Sequence, residues 1–267
     1  MSTRVHAGRR TAARVGLIAS YVLLVLLALI YIYPFLISVA GSFKTDAEAT
    51  QQPLGLIPET WSFAAYERLF TTVPLLQWAG NSLFITVIVT TARVFFDSLA
   101  GYALSRLHFR GRAVIFAALV AVMAVPNVVL LIPRFLILKE LGLYNSYGGM
   151  IIPIMIDAAG IFIMKQFFES IPVSVEEAAR IDGAGVFRTF WTIVLPMAAP
   201  ALVTLFILSF QGSWNEFAHF VVSRNDPDLN TLTTGVASLT SGQLGSGNQY
   251  PLQLAAAVLM SIPVAVI

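Results

Sequence analysis

The sequence predicts an all-α polytopic membrane protein with six transmembrane helices, and three observations carry that prediction. Of the 267 residues, 57% are apolar and only 11% charged, whereas about a quarter of the residues in an ordinary soluble domain are charged. Charges are absent from long runs, at 15–43, 69–92, 113–133 and 189–215, and a bilayer crossing takes about 20 mostly apolar residues. The basic residues that remain are divided unevenly between alternate connections.

Taken in order, the first span covers about 15–40 and follows a tail carrying Arg4, Arg9, Arg10 and Arg14. Its apolar run is too long for a signal-peptide core and lacks a small-residue cleavage site, so it reads as a retained anchor. The second, 79–104, contains Arg93 and Asp97; four apart on a helix, they are read as an intramembrane ion pair. The third, 113–137, follows the SRLHFRGR turn, and the fourth, 146–168, contains Asp157, which has no obvious partner in its own helix. Pro196 opens the fifth, 197–222. The sixth, 252–267, is still apolar at Ile267; about 16 residues fall short of a full crossing, so it reads as incomplete. No soluble domain is placed, and 1–267 is one transmembrane domain. The absence of cysteine excludes disulfides and thiolate metal sites.

Six spans put both termini on one side. The tail arginines, Arg106, Arg110, Arg112, Lys165, Arg180 and Arg188 share that side, while Lys44, Arg68, Arg134, Lys139 and Arg224 lie opposite. Positive charge collects in the cytoplasm, so the N-terminus is expected there, together with the stretch SVEEAARIDGAG at 174–185. The segments 41–78 and 223–251, rich in Pro and aromatics or in Asn, Asp, Ser, Thr and Gly, are expected to be ordered external loops.

The stretch at 174–185 is a small polar helix between apolar runs. Ser174 and Glu177 fit a capping box, Glu176 and Arg180 are spaced to pair, and Ala178 and Ala179 keep the surface low. Gly183 suits the left-handed position past a helix end. Phe187, Phe190, Trp191 and Val194 then recur at helical spacing and would anchor a second helix to the membrane face. Such a knob suits docking in a groove of another protein; a plain interfacial connector is the alternative. A DNA-reading helix-turn-helix is disfavoured, because VFRTFWTIVL offers base edges only Arg188 and two threonines.

Glu177, Ala178 and Ala179, with Gly183 and then Ile193, Leu195 and Pro196, resemble the EAA signature of membrane subunits of binding-protein-dependent ABC importers. NSL at 81–83, AGYALSRLHFRGR at 100–112, LGLYNS at 141–146, EEAARIDGAG at 176–185, SWNEF at 213–217 and TLTTG at 231–235 extend the resemblance over nearly the whole chain. The combination is similar to the carbohydrate-uptake branch. The resemblance implies that 174–194 is a coupling-helix region, with Glu176, Glu177, Ala178, Ala179, Arg180, Asp182 and Gly183 meeting a cytoplasmic ATPase. It also implies a second homologous permease, two ATPase subunits that hold ATP and Mg, an external sugar-binding protein, and multi-pass residence in the cytoplasmic (inner) membrane of a prokaryote.

No GxxxxGK[ST] loop is present and no lysine follows a glycine, so no cofactor is assigned to this chain and ATP hydrolysis is expected on a partner. His6, His108 and His219 lack metal-ligand spacing, so no metal is expected. Ser213 and His219, six apart on one helix, face different ways and make a poor intramembrane protease. Trp214, Asn215 and Glu216 in SWNEF are candidates for the translocation pathway or for the interface between paired permeases. The rival reading is a proton-coupled secondary transporter using Asp157 and Glu216.

Overall fold

The computed structural model describes residues 3–240 and 249–267, with side chains at 16–239 and 249–267. The tail arginines' side chains and the stretch 241–248 of the second predicted external loop lie outside the described residues. Among the described residues the regular structure is helical without strands, as composition and charge-free runs predict. The helices run α1 (Thr3–Ser42), α2 (Asp46–Gln51), α3 (Ala64–Thr71), α4 (Leu75–Arg106), α5 (Arg112–Met123), α6 (Leu131–Glu140), α7 (Tyr147–Ile151) and α8 (Ala158–Ser170). They continue with α9 (Val173–Ile181), α10 (Val186–Thr189), α11 (Leu195–Met197), α12 (Ala199–Trp214), α13 (Ala218–Ser223), α14 (Leu232–Thr240) and α15 (Tyr250–Val266).

By length and composition, Gly16–Ser42, Leu75–Arg106 and Tyr147–Ser170 can each cross a membrane. Two further candidates are bent pairs, Arg112–Met123 with Asn127–Glu140 at 100° and Val186–Met197 with Ala199–Trp214 at 80°, and Tyr250–Val266 is a shorter apolar helix. The segment predicted at 113–137 is therefore not a straight rod. Pro126, without an amide proton, stands at the head of a 3-10 turn over Asn127–Leu130 and ends the ladder of α5. The second bend follows a π-helical turn, Phe190–Val194, and falls at Ala198, with Pro200 in the first turn of α12. The helix predicted to reach residue 222 stops at Trp214, and α13 follows separately.

The chain divides into two compact units, Met1–Val73 with Leu239–Ile262, and Pro74–Ser238 with Pro263–Ile267. In the first, the side chains of 16–36 are all exposed, which suits a helix whose solvent is lipid. Its loop is ordered by burial. Phe43 packs on Trp61, Phe63 and Tyr66 at centroid distances of 5.6, 5.4 and 5.2 Å, and the buried Glu48 carboxylate accepts the Glu59 amide at 2.8 Å.

In the second unit α4 packs on α8 and α12. A Cβ at Gly101 would lie 2.8 Å from Met164 Cβ and 2.9 Å from Lys165 N, so the missing side chain is what lets α4 and α8 approach, as small residues do between membrane helices. Around that contact Tyr102, Met164, Phe168, Phe190, Val194 and Leu205 form one apolar cluster. Ile85, Val89, Met150, Ile154 and Phe220 form another.

Candidate functional site

The helix α9 begins at Val173, not after Ser174. Pro172 stands at the N-cap with φ −58° and ψ 134° and without a side-chain hydrogen bond, so its fixed φ starts the helix and Ser174 falls inside the first turn. The expected Ser174–Glu177 capping box is therefore not formed. The other end follows expectation. Gly183 has φ +78°, the Ala184 amide donates to Ala179 O at 2.9 Å, and the Gly183 amide donates to Arg180 O at 3.0 Å. This pair of bonds is a Schellman motif, which satisfies carbonyls left open by the helix end.

The inner face of α9 carries Glu176 and Ala179, 2% and 4% exposed. Its outer face presents Val173, Glu177, Ala178 and Ile181, with Ile181 87% exposed; Arg180, Asp182 and Gly183 are exposed as well. Glu176 does approach Arg180, at 3.8 Å, but its shorter ion pair is with Arg106 at the end of α4, at 3.1 Å. Sequence spacing missed Arg106, because 70 positions of chain separate the partners. Of the four predicted membrane anchors, Phe190 and Val194 are buried, whereas Phe187 is 75% and Trp191 47% exposed. The π-helical turn rotates the register, so the regular 3.6-residue spacing does not carry through. Phe187 belongs to the first arm of the bent candidate span, whereas Ile181 is exposed apolar surface outside the candidate spans, a feature of interaction sites.

Deeper in the unit, Arg93 and Asp97 are no ion pair within 4.0 Å. Arg93 Nε donates to Ile154 O at 2.7 Å, and Asp97 Oδ1 accepts the Asp157 amide at 3.1 Å. Both side chains turn instead toward the break between α7 and α8, where a 3-10 turn over Ile152–Ile154 leaves backbone groups outside a helical ladder. In an apolar medium such groups must find partners within the protein. Asp157 supplies the third link, capping α8 by accepting the Gly160 amide at 3.1 Å.

At the end of α12, Trp214 is 4% exposed and stacks on Phe210 at 5.7 Å, whereas Asn215 is exposed and donates to Gln211 O at 3.0 Å. Glu216 Oε1 accepts the His219 amide at 2.9 Å at the start of α13. Ser213 Oγ lies 3.4 Å from Thr86 Oγ1, and His219 Nε2 lies 3.1 Å from Met150 O, so neither engages the other as a nucleophile and its base.

Comparison with known proteins places this arrangement. A family model described as "Binding-protein-dependent transport system inner membrane component" matches residues 94–267. The polygalacturonan/rhamnogalacturonan transport system permease protein YtcP of Bacillus subtilis is 35% identical over 91% of this chain and 89% of its own. The diacetylchitobiose uptake system permease protein NgcG of Streptomyces coelicolor is 33% identical over 92% of this chain and 81% of its own. A chain of a crystal structure of a bacterial ABC transporter involved in import of the acidic polysaccharide alginate superposes with a TM-score of 0.82 at 29% identity, covering 96% of this chain and 94% of that one. The matched residues include α9 and the break at Asp157, and similarity at this level runs nearly end to end; the chain belongs to the family of inner membrane components of binding-protein-dependent transport systems.

Proposed function

We propose that this chain is the membrane-spanning permease subunit of an ATP-driven importer for a disaccharide or oligosaccharide. One observation carries the mechanism: a short helix with its inner face buried and its outer face exposed, presenting Val173, Ala178, Ile181 and Glu177, closed by a left-handed glycine. A connector between spans needs no apolar outer face. A helix seated in the groove of a motor subunit does, since burial of central apolar side chains dominates such contacts. The permease relatives support the substrate class, because YtcP and NgcG are named for polygalacturonan/rhamnogalacturonan transport and diacetylchitobiose uptake.

In this reading two ATPase subunits hold ATP and Mg and dock on α9 and its counterpart in a second homologous permease. An external binding protein delivers the sugar, and closure of the ATPases drives alternating access. The N-terminus is cytoplasmic, as the distribution of Arg and Lys favours. Asn215, exposed at the end of α12, is assigned to the translocation pathway or the permease interface. Buried Trp214 and amide-capping Glu216 hold that end of α12 in place. Asp157 and Glu216 each use a carboxylate oxygen as a cap, which favours a structural role over proton relay.

Ile181→Asp tests the reading by placing a charge on the docking face without touching the buried one. The ATPase recovered with affinity-purified permease should fall about ten-fold, the loss of a single interface anchor, while membrane insertion and recovery of the second permease persist. Undiminished recovery of the ATPase would reject docking at α9.

A further inference from the structure

Arg106 is the last residue of α4, and its side chain is 8% exposed. Its guanidinium addresses three groups on two other elements. One η nitrogen donates to Phe168 O, which also accepts the Ile171 amide, and to Ile171 O just past the end of α8. The ε nitrogen lies 3.1 Å from Glu176 Oε1 on α9, as an ion pair without a directed hydrogen bond, and the Glu176 side chain is 3% exposed. Beneath these contacts Tyr102 packs on Phe168 at 5.9 Å and on Phe190 at 4.9 Å, so the ends of α4 and α8 share one apolar floor with the π-helical turn, and α9 is tied to it through Glu176.

We infer that Arg106 is a positioning residue that joins the docking helix to α4 and α8, so that displacement of α9 reaches both helices instead of being absorbed at the Ile171–Pro172 link. The inference rests on the docking reading above. A flat guanidinium offers five donors in a fixed fork, so one side chain holds carbonyls and a carboxylate at fixed relative angles. A lysine ammonium is a compact point charge on a flexible stem and does not set that geometry. Stability alone does not call for the pair, because apolar replacements of buried ion pairs are often neutral or stabilising. What this one specifies is the relative placement of three helix ends. Glu176, grouped by motif with the ATPase contacts, is turned to the bundle, and its neighbour Glu177 is left on the docking face.

The test uses the complete complex with its ATPases in lipid nanodiscs and follows amide hydrogen exchange in Val173–Ile181 and Ala158–Ser170, with and without ATP plus orthovanadate. In the parent both segments should respond to nucleotide. In Arg106→Gln, α9 should still respond, whereas the response of α8 should fall about five-fold or more, the size of a lost site-to-site coupling. Arg106→Lys should retain an intermediate response. If Arg106→Gln does not assemble, Glu176→Gln, which leaves the carbonyl contacts in place, should also reduce the α8 response. An undiminished α8 response in either glutamine variant would overturn the role of Arg106 and leave docking intact. A parent whose α9 is silent to nucleotide would overturn the docking reading and the joint with it.

Discussion

A methyl group at Gly160 would run into the Asp97 carboxylate and the Leu205 side chain, which makes this glycine the point where α4, α8 and α12 meet. Gly160→Ala should destabilise the protein by about 1–3 kcal/mol, the usual cost of overpacking, and lower the melting temperature of the purified complex. In an Asp97→Ala background the added cost of Gly160→Ala should be smaller, because the obstructing carboxylate atoms are gone. Asp97→Leu should cost about 1–3 kcal/mol by orphaning the partly buried Asp157 amide, whereas Asp97→Asn keeps an acceptor and should be nearly neutral in the same melt. A sequence shows Arg93 and Asp97 four apart and suggests mutual neutralisation. It does not show that a helix break lies opposite, offering a carbonyl to one and an amide to the other. Residue partners set by a different helix are beyond the reach of spacing, and Arg106 with Glu176 is the same case.

The two ends of α9 differ in how far the sequence reveals them. Gly183 is legible because φ +78° is cheap for glycine alone, so Gly183→Ala should cost about 1 kcal/mol and increase amide exchange at 182–184. The start differs from the expected one by two residues, since Ser174 looks like a cap until Pro172 is seen to occupy the N-cap and Val173 to begin the helix. Ser174→Ala should therefore change stability by less than about 0.5 kcal/mol, against about 1 kcal/mol for a true capping serine, as read from the same exchange profile. The bends in the third and fifth predicted segments carry a signal in Pro126 and Pro200, but charge-free runs alone do not register it, because apolar composition reads alike along a straight or a bent helix. The π-helical turn has no such residue marker and was not legible.

At the scale of the whole molecule, the helical membrane class and the transporter family were open to a reader of the sequence, one through charge-free runs and the other through the stretch at 174–185. The orientation rests on the distribution of basic residues and is accessible to labelling, since the chain contains no cysteine. A single cysteine at exposed Gln52 should react with an impermeant maleimide in intact cells, and one at exposed Gly111 only after lysis; the opposite pattern would reverse the topology and remove α9 from the cytoplasm.

The central claim is that a partner's ATP hydrolysis, delivered through α9, drives transport through this chain. Uptake of the sugar retained by the cognate binding protein, measured in cells depleted of ATP by arsenate and, separately, in cells whose proton gradient is collapsed by a protonophore while ATP is maintained, tests that claim most directly. Uptake should stop in the first and continue in the second; uptake that survives ATP depletion and fails with the proton gradient would mean that a partner's ATP hydrolysis does not drive it.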